Sequence, residues 1–229
     1  MTRYAIIVAG GSGTRFGSEM PKQYLPLAGK TVIMQTILNF AAVPDTKIIV
    51  VISEAARTLW HHLCQEHHFS VEHTLVNGGC SRFESVKNAL ATIHPCPGDL
   101  IAVHDAVRPL IGPAHIERIY NEAARFGSAI PVVNVTDSIR QVNDDGISTA
   151  LTRSTLRAVQ TPQTFNAKAL IDAYDVPYAD SFTDDASVFE HAGNSVHLVD
   201  GDVNNLKITH PHDLIIAEFL LTDESAAEI

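Results

Sequence analysis

Residues 4–8 form an apolar run, Tyr-Ala-Ile-Ile-Val, that leads without interruption into AGGSGTRFGSEMPK over residues 9–22. Gly10, Gly11, Gly13 and Gly17 fall within eight residues of that stretch. Glycine admits positive φ and carries no Cβ, so a run of backbone N–H groups can turn toward an anion. Arg15 lies inside the loop, and Lys22 follows Pro21. Open α/β sheets bind their ligands at the carboxyl ends of their strands, which is where this loop would sit. The stretch predicts a phosphate site in which Ala9, Gly10, Gly11 and Gly13 present backbone and Arg15 and Lys22 present charge.

The two commonest phosphate loops do not fit. The only Gly-Lys-Thr, at residues 29–31, has Tyr24 where a P-loop needs its first glycine. A dinucleotide fingerprint begun at Gly11 and Gly13 meets Phe16 in place of its third glycine. What remains, GGxGTR followed seven residues later by the lysine of a Pro-Lys pair, resembles the signature of nucleotidyltransferases that join a nucleoside triphosphate to a phosphorylated sugar or sugar alcohol.

Short apolar runs alternate with helical patterns through the first 135 residues. Strands are expected over 4–8, 47–52, 71–76, 100–103 and 129–133, and helices over 32–42, 54–67, 81–93 and 113–126. In the third helix Phe83, Val86, Leu90 and Ile93 fall on one stripe, and Pro113 suits the first turn of the fourth. This rhythm implies a mostly parallel sheet covered by helices on both faces. It breaks at residues 136–161, where short alternating runs, an Asp144-Asp145-Gly146 turn and Arg140, Arg153 and Arg157 suggest a β-arm leaving the core. Helices are expected again over 167–174, 183–191 and 211–221, with strand-like runs at 196–199 and 205–209. The whole, residues 1–229, is expected to form one domain with a protruding arm.

Several classes fall away on composition. A net charge of −10 argues against nucleic acid or an anionic membrane as partner, while leaving small anionic substrates open. Cys64, Cys80 and Cys96 form no CxxC and suit reduced, cytoplasmic usage. The first twenty residues lack a signal-peptide pattern, and no apolar run approaches the ~18 residues of a membrane span. No GxSxG elbow or HExxH pair is present, and His61-His62 and His67-His68 read as surface residues.

Three further groups carry chemistry. His104-Asp105-Ala106-Val107-Arg108-Pro109 follows a buried strand, so Asp105 could hold Mg²⁺ or a ribose hydroxyl and Arg108 could meet a phosphate. His104 and Asp105, being neighbours on a strand, point to opposite faces and form no catalytic pair. Gly78 and Gly79 permit close approach of a flat base, and Ser85 could hydrogen-bond it; Ser81 and Glu84 also read as a helix cap. Lys207, alone in its run, calls for an anion.

Taken together, AGGSGTRFG with PKQYLPLAGK, GGxxRxxSV (78–86), HDAVRP, RAVQTPQTF (157–165) and TDDAS with NLKIT resemble the 2-C-methyl-D-erythritol 4-phosphate cytidylyltransferases of the non-mevalonate isoprenoid pathway. The resemblance implies a Rossmann-like α/β nucleotidyltransferase fold, a homodimer through the β-arm, and Mg²⁺ with CTP as substrate. It implies that Arg15 and Lys22 stabilise the transition state around the triphosphate. Asp105 would lie near Mg²⁺ and the ribose, and Gly79 and Ser85 would recognise cytosine. Arg153, Thr161 and Lys207 would position the methylerythritol phosphate, with the arm serving the partner's site. Ser138 stands where the arm usually has threonine, and Cys80 where an aspartate or other polar residue is common. D-ribitol 5-phosphate cytidylyltransferases share the glycine loop, HDAVRP and QTPQ; the arm and Arg153 favour methylerythritol phosphate. A silent nucleotide-binding regulatory module is the alternative from another class, against which the joint retention of Arg15, Lys22, Asp105 and Lys207 speaks.

Overall fold

The computed structural model describes residues 1–10 and 20–223. In chain order the first half comprises β1 (Arg3–Val8), the two-residue β2 (Pro26–Leu27) and β3 (Lys30–Thr31), α1 (Val32–Ala41), β4 (Thr46–Ile52), α2 (Arg57–Glu66), β5 (Thr74–Asn77), α3 (Arg82–Leu90), β6 (Leu100–Asp105) and α4 (Pro113–Phe126). There follow β7 (Ser128–Asn134), β8 (Arg140–Val142), β9 (Ser148–Ala150), β10 (Arg157–Val159), β11 (Gln163–Asn166), α5 (Ala167–Ala173), α6 (Asp185–His191), β12 (Leu198–Asp200) and α7 (Pro211–Thr222).

The main sheet has eight strands along the path β10-β7-β11-β6-β1-β4-β5, with β12 beside β7. Strands β6, β1, β4 and β5 are parallel neighbours, whereas β11 and β10 run antiparallel. The apolar runs are nearly continuous because both faces are covered. From β1 and β6, Ala5, Ile7, Leu100 and Ala102 pack with α1, α2 and α4 on one side. Tyr4, Ile6, Ile101 and Val103 pack with α3, α5 and α6 on the other. Burying each isoleucine, leucine or valine side chain among these is worth about 1.5–3 kcal/mol relative to exposure.

Local chemistry fixes the helix ends. α4 starts on Pro113 and stops at Gly127, whose φ of 83° is the left-handed geometry that ends a helix, with its N–H on the Ala123 carbonyl. Its buried residues, Ile116, Ile119, Tyr120 and Ala123, recur at helical spacing. The Ser81 hydroxyl accepts the Glu84 amide at 3.1 Å and caps α3. Asp184 and Ser187 form a reciprocal capping box for α6.

Some expectations shift. The strand expected over 71–76 forms at Thr74–Asn77, and that over 196–199 at Leu198–Asp200. Residues 54–56 are a 3₁₀ turn ahead of α2. The strand-like run at 205–209 joins no ladder: Leu206 and Ile208 face a small apolar cluster with Val107 while Lys207 faces away, which reproduces a two-residue alternation without pairing. β11 went unanticipated. The arm at 136–161 contains the β8–β9 hairpin over Asp144-Asp145-Gly146, then returns to the sheet already at β10.

Candidate active site

The chain lays down β1, moves outward to β4 and β5, then crosses back to place β6 on β1's other side. That reversal is the switch point at which open α/β sheets bind ligands. Val8 pairs with Asp105 at the carboxyl edge, so the glycine loop and the turn at residues 106–109 leave the sheet side by side. β5 ends at the same edge, with Asn77 beside Ile52.

Asp105 is the centre of the site. Its Oδ2 lies 2.9 Å from Lys207 Nζ and 3.7 Å from Arg108 Nε, and its Oδ1 lies 3.6 Å from Arg82 Nε. Arg82 also reaches the fully buried Asp185 at 2.6 Å, and Asp185 accepts from the Tyr174 hydroxyl at 2.7 Å. Burial alone would raise the Asp105 carboxyl; Arg82, Lys207 and Arg108 outweigh it and hold the group well below the usual carboxylate range. Burial pushes the Arg108 guanidinium down, against the pull of Asp105. Arg108 donates to the Asn205 carbonyl at 2.7 Å, and among the described residues its buried Nε has no hydrogen-bond partner. An unpaired buried donor beside an open edge is a place for an anionic ligand's oxygen.

The backbone that delivers Lys207 is tied to the same turn. The Ile208 amide donates to the Val107 carbonyl at 2.9 Å, and Asn205 Nδ2 donates to the Thr161 carbonyl at 2.9 Å. On the other side, Gln23 Nε2 donates to the Ala9 carbonyl at 2.8 Å and brings the Lys22–Tyr24 turn to the root of the glycine loop.

The second loop meets the first over Ser85. Its hydroxyl donates to the Ser81 carbonyl at 2.8 Å and accepts the Gly79 amide at 3.1 Å, so its single hydrogen is already in use. A Cβ on Gly10 would lie 3.4 Å from Ser85 Oγ, and one on Gly79 would lie 2.3 Å from Glu84 Cβ. Gly79 therefore accommodates no side chain. Cys80 is exposed, and its amide rather than its thiol is held, by Glu84 Oε2 at 2.6 Å.

Of the sequence-derived set, Asp105, Arg108, Thr161 and Lys207 come together, and Ala9, Gly10, Gly79 and Ser85 line the adjoining edge. Gly11, Gly13 and Arg15 lie outside the described residues. Arg153 and Ser138 are exposed on the arm. Arg153 donates to the Thr136 carbonyl and lines an open groove of about 740 Å³ with Asn134, Val135, Thr136, Ser154 and Arg157. Among the described residues neither Arg153 nor Ser138 bonds to the Asp105 cluster.

Arg82, Asp185 and His104 were missed. Arg82 heads a helix, where the dipole disfavours a cation, so an arginine there signals a carboxylate partner. Only one of Asp184 and Asp185 is needed to cap α6, which left the other for a different task. His104 is fully buried against Phe40, ring centroids 5.0 Å apart, and burial pushes its imidazole down to about 4.

Residues 4–223 match the family of 2-C-methyl-D-erythritol 4-phosphate cytidylyltransferases. The chain belongs to that family. A 2-C-methyl-D-erythritol 4-phosphate cytidylyltransferase from Bacteroides thetaiotaomicron is 46% identical over 222 residues, covering 96% of this chain and 100% of the relative. One from Geobacillus kaustophilus is 34% identical, covering 99% and 100%. Among solved structures, 4-diphosphocytidyl-2C-methyl-D-erythritol synthase from Anaerococcus prevotii superposes with a TM-score of 0.81 at 26% identity, covering 97% of this chain and 96% of that one. The α/β nucleotidyltransferase fold and cytidylyltransferase chemistry of the family are thus those of this chain. No helix among the described residues is long and apolar enough to cross a membrane.

Proposed function

We propose that this chain transfers CMP from CTP to 2-C-methyl-D-erythritol 4-phosphate, giving CDP-methylerythritol and pyrophosphate for isoprenoid precursor synthesis in the cytoplasm. The observation that carries the reading is the ionised Asp105 among Arg82, Arg108 and Lys207, at the sheet edge where the glycine loop begins.

The nucleophile is a phosphate monoester, close to a dianion at pH 7 because its second pKa is about 6. It attacks the α-phosphorus in line, a P–O bond to it forms, and the bond to pyrophosphate breaks. No general base is required. The barrier is repulsion between polyanions, which fixed cations relieve, each being worth on the order of 10²–10³ in rate. Arg15 and Lys22 serve the triphosphate. Lys207 and Arg108 hold the methylerythritol phosphate. Gly79 and Ser85 shape the cleft for the cytosine.

Among the described residues no group of three or more His, Cys, Asp or Glu could hold a metal by itself. Mg²⁺ shared with substrate phosphates needs only one or two carboxylates, and Asp105, ionised and at an open edge, fits that role. The ion would neutralise and orient the phosphates. Arg153 and Ser138, remote from Asp105 in their own chain, serve a second copy of the chain in a homodimer joined through the arms.

Purified protein with CTP and Mg²⁺ is expected to release pyrophosphate with 2-C-methyl-D-erythritol 4-phosphate and not with D-ribitol 5-phosphate. Release only with the latter would reassign the substrate; silence with both, in protein that binds CTP, would overturn the enzyme reading. In the same assay Lys22→Ala is expected to lower kcat by about 10²–10³-fold while melting like the parent. An unchanged turnover would remove Lys22 from the site.

A further inference from the structure

The hydrogens of the His104 pair can be assigned from their partners. His104 Nε2 lies 3.1 Å from the Arg108 carbonyl oxygen, and Nδ1 lies 3.0 Å from Thr161 Oγ1. A carbonyl only accepts, so Nε2 carries the hydrogen. An imidazolium fully buried against Phe40, its ring nitrogens meeting the Arg108 carbonyl and the Thr161 hydroxyl and no carboxylate among the described residues, would be costly, so the ring is neutral and Nδ1 accepts. The Thr161 hydroxyl therefore donates to Nδ1. Its oxygen accepts the Asp105 amide at 3.1 Å. A phosphate is an acceptor, and Thr161 has no second hydrogen to offer one.

We propose that His104 is a positioning residue that commits the Thr161 hydroxyl to the Asp105 backbone, so that Thr161 orients the site's carboxylate and does not bind the methylerythritol phosphate. The same ring holds the Arg108 carbonyl, so one buried side chain sets both ends of the Asp105–Arg108 turn. This replaces the substrate-binding role that the family resemblance implies for Thr161, and it rests on the cytidylyl-transfer reading.

The test compares Thr161→Val, Thr161→Ser, His104→Phe and the double variant Thr161→Val/His104→Phe. Thr161→Val and His104→Phe are each expected to lower kcat by about 10–100-fold, in the range of other supporting-residue losses. KM for methylerythritol phosphate stays near the parent value in both. The double variant is no slower than the slower single, because both break one chain of hydrogen bonds. Thr161→Ser restores turnover. A rise in that KM alone for Thr161→Val, beside an unimpaired His104→Phe, would overturn the proposal.

Should His104→Phe not fold, His104→Leu removes the acceptor for Thr161 with a smaller apolar side chain. It is expected to reproduce the Thr161→Val kinetics, and parent-like kinetics would count against the proposal. Amide hydrogen exchange at Asp105, read without substrates, is expected to accelerate in Thr161→Val and in each His104 variant. Unchanged exchange would refute the relay even if the parent enzyme acted on another substrate.

Discussion

Asp105→Asn is expected to leave a folded protein whose turnover falls by about 10²–10³-fold, with the Mg²⁺ concentration for half-activity rising. Asparagine keeps the shape and an acceptor but removes the charge that Arg82, Arg108 and Lys207 share. Those cations then repel one another, and Lys207, whose side chain is 43% exposed, has no anchor to hold it over the edge. The effect on stability has a definite sign. The Asp105 carboxyl sits below its unfolded value of about 3.9, so its contribution is complete above that pH and is lost as pH falls toward the folded value. The melting difference between parent and variant is therefore widest at neutral pH and narrows only below about pH 4. Pyrophosphate release against Mg²⁺, with melting at pH 7 and pH 3.5, checks both parts. Turnover within tenfold of the parent would confine Asp105 to holding the turn together.

Asp185→Ala is expected to be the most damaging change for the fold, costing about 3–5 kcal/mol, the usual penalty for stranding one partner of a buried ion pair. Asp185 has no exposure, Arg82 touches it at 2.6 Å, and Tyr174 donates to it at 2.7 Å. For a chain of this size that loss corresponds to roughly 6–20 °C in Tm. Denaturation in urea measures it. A loss under about 1 kcal/mol would mean that Asp105 alone satisfies Arg82. The pair Arg82→Met/Asp185→Leu is expected to regain much of the stability, since apolar replacement of a buried pair is often neutral, while activity stays low because Asp105 has lost a neighbour.

The parallel half of the sheet was legible at β1, β4 and β6, which are apolar on both faces, and at α3 and α4, whose apolar residues repeat at helical spacing. Pro113, and Ser81 with Glu84, marked helix starts that the fold keeps. β11 was not legible. Gln163–Asn166 is four residues long, three of them polar, and its ladder partners on β6 and β7 are distant in sequence. Lys207 announced a need for an anion through its chemistry, but the alternation around it came from an extended chain draped over Val107. Asp105 and Arg108 could be placed because a strand end fixes where they point. The link from Arg82 to Asp185 spans 103 positions and leaves no periodic trace. The task of Thr161 was hidden too, since a hydroxyl's allegiance depends on which hydrogen its neighbour carries.

The bond from Arg108 to the Asn205 carbonyl joins residues 97 apart. A chain emerging from the ribosome can pair β1, β4, β5 and β6 once residue 105 is out, whereas the segment bearing Lys207 follows about a hundred residues later. Contacts so distant form late, after local helices and neighbouring strands. The sheet edge that carries Asp105 thus precedes the lysine that completes the carboxylate's surroundings, and the ion-pair cluster closes only when the segment around Lys207 docks on a scaffold already built.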